Sequence, residues 1–215
     1  MRGRKLRAVA LAAGLVAWNG LVDPRLPARW QPWVRALTGT GLLVLTGSRP
    51  GLRPPALWSG LQLGVAAAGV LTAGVAATTA VPAVRAEMVL RELPPAAAWL
   101  LLRIPVGTVW SEEAAFRAAL SAVGATAFGP EGGQLLQATA FGLSHIADAR
   151  ATGEPVIGTV LVTGVAGWGL GWLARRSGSL AAPILAHLAI NEAGAIAAFA
   201  CQRGPAALQR LRRQP

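Results

Sequence analysis

With 215 residues, 53% of them hydrophobic and 13% charged, the chain carries about half the charged share of an ordinary soluble domain, which excludes a water-soluble globular fold. A net charge of +11 would suggest nucleic acid in a soluble chain. Here the arginines flank apolar stretches and no basic stripe with interleaved aromatics occurs, so the partner implied is the lipid bilayer and not nucleic acid.

In chain order, Arg2, Arg4, Lys5 and Arg7 stand beside a first apolar run at 6–22. No small-x-small cleavage signal follows and more apolar runs do, so this run is expected to stay as a membrane helix rather than leave as a signal peptide. Further apolar stretches occupy 34–48, 60–84, 96–120, 134–149, 155–174 and 179–200. Between them stand Asp23-Pro24, Arg49-Pro50, Pro54-Pro55, Glu92-Leu93-Pro94-Pro95, the Gly129–Gly133 segment, Gly153-Glu154-Pro155 and Arg175-Arg176. Proline and glycine at such places stop helices at the membrane surface. The runs lack the period-2 alternation of a membrane barrel. The fold expected is therefore an all-α polytopic membrane helix bundle of about seven to eight transmembrane helices, at roughly 20 residues per crossing.

Small residues at close intervals, Gly64, Ala68, Gly69 and Gly74 in one run and Gly164, Gly167 and Gly171 in another, are suited to close helix packing in lipid. Trp30, Trp33, Trp58, Trp99 and Trp110 fall near span ends and read as interface anchors. Charge leaves the orientation open. The basic N-terminus and the basic end, Arg203, Arg210, Arg212 and Arg213, both favour the cytosol. Seven crossings cannot satisfy both, so either an eighth crossing lies within 60–84 or one basic terminus is outside.

Ionisable residues within apolar helices are costly and usually mark function. The fourth stretch holds Ser111-Glu112-Glu113-Ala114-Ala115-Phe116-Arg117. Glu113 and Arg117 lie four apart with the acid first, the favourable order for an ion pair. Glu112 points about 100° away, toward the face of Phe116. Arg117 then neutralises Glu113 and leaves Glu112 without a local countercharge, free to act as a general base. The chain has two histidines. His145 closes Phe141-Gly142-Leu143-Ser144-His145, and His187 shares a helix face with Asn191 four residues on. Asp148, three residues past His145, reads as interfacial or as an orienter of that ring. Glu192 is secondary, and neither Ser144 nor Cys201 carries a local triad pattern.

Glu112-Glu113-x-x-x-Arg117, Phe141-x-x-x-His145 and His187-x-x-x-Asn191, in that order on successive helices, resemble the CPBP family of intramembrane proteases, which includes the CAAX prenyl endopeptidases and the bacterial Abi proteins. The resemblance covers roughly 96–200, leaving 1–95 as N-terminal transmembrane helices without a motif and 201–215 as a basic tail. It implies Glu112 as the catalytic glutamate, His145 as its partner in activating water, and His187 with Asn191 as the oxyanion site. Glu113, Arg117, Phe116 and Phe141 would be supporting positions. Ala118 departs from the glycine many members place after the arginine, which bears on packing and removes no catalytic group.

The expected function is intramembrane hydrolysis of a peptide bond in a membrane-anchored peptide or protein substrate. The cofactor is either none or a divalent metal, zinc, held by Glu112, His145 and His187. Without an H-E-x-x-H helix, the metal-independent route is preferred. A proton-coupled transporter would need an internal repeat, which is not found; a non-catalytic scaffold or immunity protein would tolerate loss of Glu112. Nineteen arginines against the single Lys5 suggest a GC-rich bacterial genome and a multi-pass protein of the bacterial inner membrane.

Overall fold

The computed structural model describes residues 1–203; Arg210, Arg212 and Arg213 of the expected basic tail lie outside the described residues. Every regular element among those residues is helical. Helix α1 (Arg2–Ala17) runs on through a widened turn, Trp18–Val22, and a tight turn, Asp23–Arg25, where Pro24 ends it. Helix α2 (Gln31–Leu45) carries Pro32 in its first turn, where the missing N–H costs nothing. Helix α3 (Ala56–Thr79) is continuous and stops before Pro82, which opens the nine-residue α4 (Pro82–Leu90). No eighth crossing is therefore hidden in 60–84, since about 13 Å of α4 falls far short of a bilayer.

After Pro94-Pro95 comes the central rod: α5 (Ala96–Ala98), two widely wound segments, Trp99–Trp110 and Glu113–Leu120, and the first part of α6 (Ser121–Ser144). Gly129, at φ 78° and ψ 170°, and Pro130 break α6. There the chain folds back on itself, because Gly133 packs so closely on the Gly124–Ala125 backbone that a β-carbon would collide with it. Short α7 (Ile146–Thr152) follows, then α8 (Val156–Ser177), ended by Gly178 in the left-handed region, and α9 (Ala181–Arg203).

Four helical runs, Arg2–Arg25, Ala56–Thr79, Val156–Ser177 and Ala181–Arg203, are long and apolar enough to cross a membrane. The others differ from the sequence expectation for physical reasons. Helix α2 has 15 residues, about 22 Å against a hydrocarbon core of about 30 Å, and the central rod carries Arg103, Glu112, Glu113 and Arg117. The outer face of α8 shows Ile157 at 77%, Leu161 at 64% and Val165 at 72% exposure, a stripe that is stable against lipid and aggregation-prone in water.

All eight residues of Glu113–Leu120 are buried, because α1, α2, α6 and α8 all pack against this segment. Phe116 and Phe141 anchor one apolar cluster with Leu15 and Leu120, while Leu170, Leu173, Ala182 and Ala186 form another between α8 and α9. Trp30, Trp33 and Trp58 are outward-facing at 49–58% exposure. Trp110 and Trp99 are instead packing residues: Trp110 Nε1 donates to Thr40 Oγ1 at 2.9 Å, and Trp99 meets Phe199 edge-on.

The two ends of the bundle are defined by contacts. At one end Lys5 lies over the Phe128 ring, Arg175 bonds Glu131, and Leu180 N–H donates to the Pro50 carbonyl. At the other, the Gln202 amide donates to the carbonyls of Met88 and Arg91, and Arg91 pairs with Glu154.

Candidate active site

Glu112 stands at the joint between the two widely wound segments. Pro105 within the first cannot donate to its helix, and i→i+5 winding relieves the clash of its ring with the preceding turn. Helix α2 comes close beside the joint because position 39 is glycine; a β-carbon there would sit 2.5 Å from the Ser111 carbonyl oxygen.

Glu113 and Arg117 are both fully buried, with Arg117 Nη1 3.4 Å from Glu113 Oε1. The same oxygen accepts a hydrogen bond from His187 Nδ1 at 2.7 Å. That contact is not one that spacing along a helix reveals. Glu113 is thus shared between Arg117 and His187, and it turns the other ring nitrogen outward: His187 Nε2 lies 3.8 Å from Glu112 Oε2. His145, where α6 gives way to α7, donates from Nδ1 to the Phe141 carbonyl at 2.7 Å. A carbonyl only accepts, so the lone pair of the neutral ring is on Nε2.

Phe141 joins these groups. Its ring centroid is 4.7 Å from that of His145, 6.3 Å from that of His187 and 5.2 Å from that of Phe116, each near edge-on, and the Arg117 guanidinium sits 3.8 Å from it. Edge-on packing and the cation over the ring face are both favourable. The three separated motifs therefore meet around one aromatic side chain.

Glu112 and His145 line a cavity of about 270 Å³ with Asp148, Asn19, Asp23 and Arg35. Asp148 thus belongs to the cavity wall rather than only to the interface. The last three residues come from the N-terminal helices, from which no motif was expected. Arg35 Nε donates to Asp23 Oδ1 at 2.6 Å and Gln31 donates to Asp23 Oδ2 at 3.0 Å. Asp23 beside Pro24 reads in sequence as a helix stop, which hid its role. Buried Gln134 and Gln137 were missed too; they tie α6 to α8 by donating to the carbonyls of Trp168 and Gly167.

Asn191 is not in this cavity. Its Nδ2 donates to the His187 carbonyl one turn back at 3.0 Å, and it lines a separate cavity with Glu87, Arg91, Trp99 and Glu154. An apolar groove of about 500 Å³, lined in part by His187, runs between α3, α8 and α9. A zinc site needs about three converging protein ligands. Among the described residues no three His, Cys, Asp or Glu side chains converge closely enough to hold a metal ion, so this arrangement of Glu112, His145 and His187 does not fit one.

The family model described as Type II CAAX prenyl endopeptidase Rce1-like matches residues 94–193. Those residues belong to that family. No curated protein and no solved structure gives a significant match to the chain. The CAAX-type protease domain begins at the Pro94-Pro95 stop and ends within α9, so Glu112, Glu113, Arg117, His145, His187 and Asn191 all lie inside it. The family match over residues 94–193 and the apolar helices together support a membrane protein that carries a CAAX-protease-type stretch. The CAAX-type domain does not build its cavity alone, since Asn19, Asp23 and Arg35 lie outside the matched stretch.

Proposed function

We propose that the protein is an intramembrane endopeptidase in which Glu112 and His145 activate a water held in the 270 Å³ cavity. The observation that carries this reading is that Glu112 and His145 face one polar cavity while Glu113, the neighbouring acid, is withdrawn to Arg117 and His187. Glu112 takes the proton from water, with the His145 Nε2 lone pair as its partner, and the oxygen attacks the scissile carbonyl. His187, its Nδ1 fixed by Glu113, donates through Nε2–H to the developing oxyanion. Asn191 lines a separate cavity, so no second donor is drawn from it. The proton then passes to the leaving amine, so no covalent enzyme intermediate forms.

The proposed route runs through protein groups alone, and the substrate is a membrane-associated peptide or protein whose apolar part approaches by the groove beside His187. The proposed setting is the bacterial inner membrane, crossed seven times. The end that gathers Arg2, Arg4, Lys5, Arg7, Arg49, Arg53, Arg175 and Arg176 faces the cytosol. Residue 203 then lies on the opposite side, the alternative in which one basic terminus is outside.

Purified protein stripped by a strong chelator and shown metal-free by elemental analysis is expected to keep full turnover of a membrane-peptide substrate. Activity that vanishes on stripping and returns with zinc would overturn the metal-independent route. Glu112→Gln, nearly isosteric, is expected to lower kcat by about 10²–10⁴-fold, the range for loss of general-base catalysis.

A further inference from the structure

A second cavity of about 300 Å³ lies at the N-terminal end of the bundle, away from Glu112, and is lined by Arg49, Arg117, Arg175, Ser48, Ser121 and Ser179. Among the described residues three cations and no carboxylate face it. Arg117 forms its inner wall: the side chain is fully buried, and among the described residues none of its three guanidinium nitrogens has a hydrogen-bond partner. Such a group inside a low-dielectric bundle is costly unless something accepts from it. Glu113, 3.4 Å away, offsets its charge without a hydrogen bond. Arg175 is offset by Glu131, itself 81% exposed at its side chain, and Arg49 at the mouth is exposed. The sum leaves one uncompensated positive charge and a buried set of unused N–H donors.

We propose that this cavity binds a phosphate group, either a lipid headgroup phosphate or free phosphate, with its oxygens on Arg117, Arg175 and Arg49 and the Ser179 hydroxyl. Guanidinium forks match tetrahedral oxyanions, and one site can offer an oxyanion several such N–H donors. The hydroxyl of Ser179 accepts from the Ala181 N–H, which leaves its own hydrogen for a ligand. The cavity lies at the end where Lys5, Glu131 and the 178–180 turn gather, the level of a headgroup. It has no lining residue in common with the Glu112 cavity; Arg117 alone links it to the Glu113–His187 contact.

The test uses the full chain, delipidated in an uncharged sugar detergent. Inorganic phosphate is titrated by calorimetry, and retention of phosphatidylglycerol from mixed micelles is read by native mass spectrometry. The expected result is saturable binding of one or both probes, weakened at least tenfold by Arg49→Glu, which removes an exposed side chain and leaves the buried groups in place. Arg175→Gln serves as a second variant and is expected to weaken binding likewise. Phosphate binding without lipid retention identifies a soluble anion as the ligand. A single retained lipid that phosphate displaces identifies the headgroup. Binding of neither probe to the wild type, or binding unchanged in both variants, overturns the proposal.

Discussion

Burial sets the roles of individual residues around Phe141. Two adjacent acids have opposite fates: Glu113 is fully enclosed with Arg117 and His187, and Glu112 reaches the cavity. Arg117→Met leaves Glu113 buried beside His187 without its cation. Stability is expected to fall by about 3–5 kcal/mol, the usual cost of breaking a buried pair from one side. The double variant Glu113→Gln with Arg117→Met should regain much of it, measured as unfolding midpoints in detergent. The Glu113–Arg117 pair was legible in sequence because both residues lie on one helix, four apart. The His187–Glu113 bond was not, since 74 residues separate the partners and nothing in helix periodicity says which faces meet. The same reason hid Asp23 and Arg35.

Packing of whole elements decides whether those side chains converge. Gly167 lets α8 lie against Phe141, and a β-carbon there would come within 2.8 Å of Phe141 Cδ1. Gly167→Ala is expected to cost about 1–3 kcal/mol by overpacking and to lower activity by shifting the ring that both histidines touch. Gly69→Ala on α3, where a β-carbon meets nothing within 4 Å, should leave both unchanged or raise stability slightly through helix propensity. Thermal midpoints and turnover of the two variants check this contrast. The small-residue pattern announced close packing but not where. Gly64, Gly167 and Gly171 meet neighbours, while Gly69 and Gly74 face open space. Helix ends were legible where proline and glycine stop helices by local sterics, as at Pro24 and Gly129, whereas the stop before Pro82 fell inside the expected 60–84 run. The wide winding of Trp99–Trp110 and Glu113–Leu120 was not, because it answers to packing around the rod.

At the scale of the whole molecule, the proposed topology of seven crossings puts the N-terminus in the cytosol and residue 203 across the membrane from it, whereas four helical runs are long and apolar enough to cross by themselves. Single cysteines introduced into a Cys201→Ala background at Arg53 and at Glu92 are expected to label with membrane-impermeant maleimide from opposite sides; labelling from one side contradicts this topology. The all-helical membrane character was legible from composition, and the stretch that matches the protease family from its ordered motifs. The contribution of 1–95 to the cavity emerges only when α1 and α2 are folded against the central rod. Glu112 is the residue proposed to do the chemistry. The most direct test compares membrane-derived peptides from cells carrying wild-type protein or Glu112→Gln at equal abundance. Cleavage products are expected with the wild type and not with Glu112→Gln; the same products from both would contradict a catalytic role for Glu112.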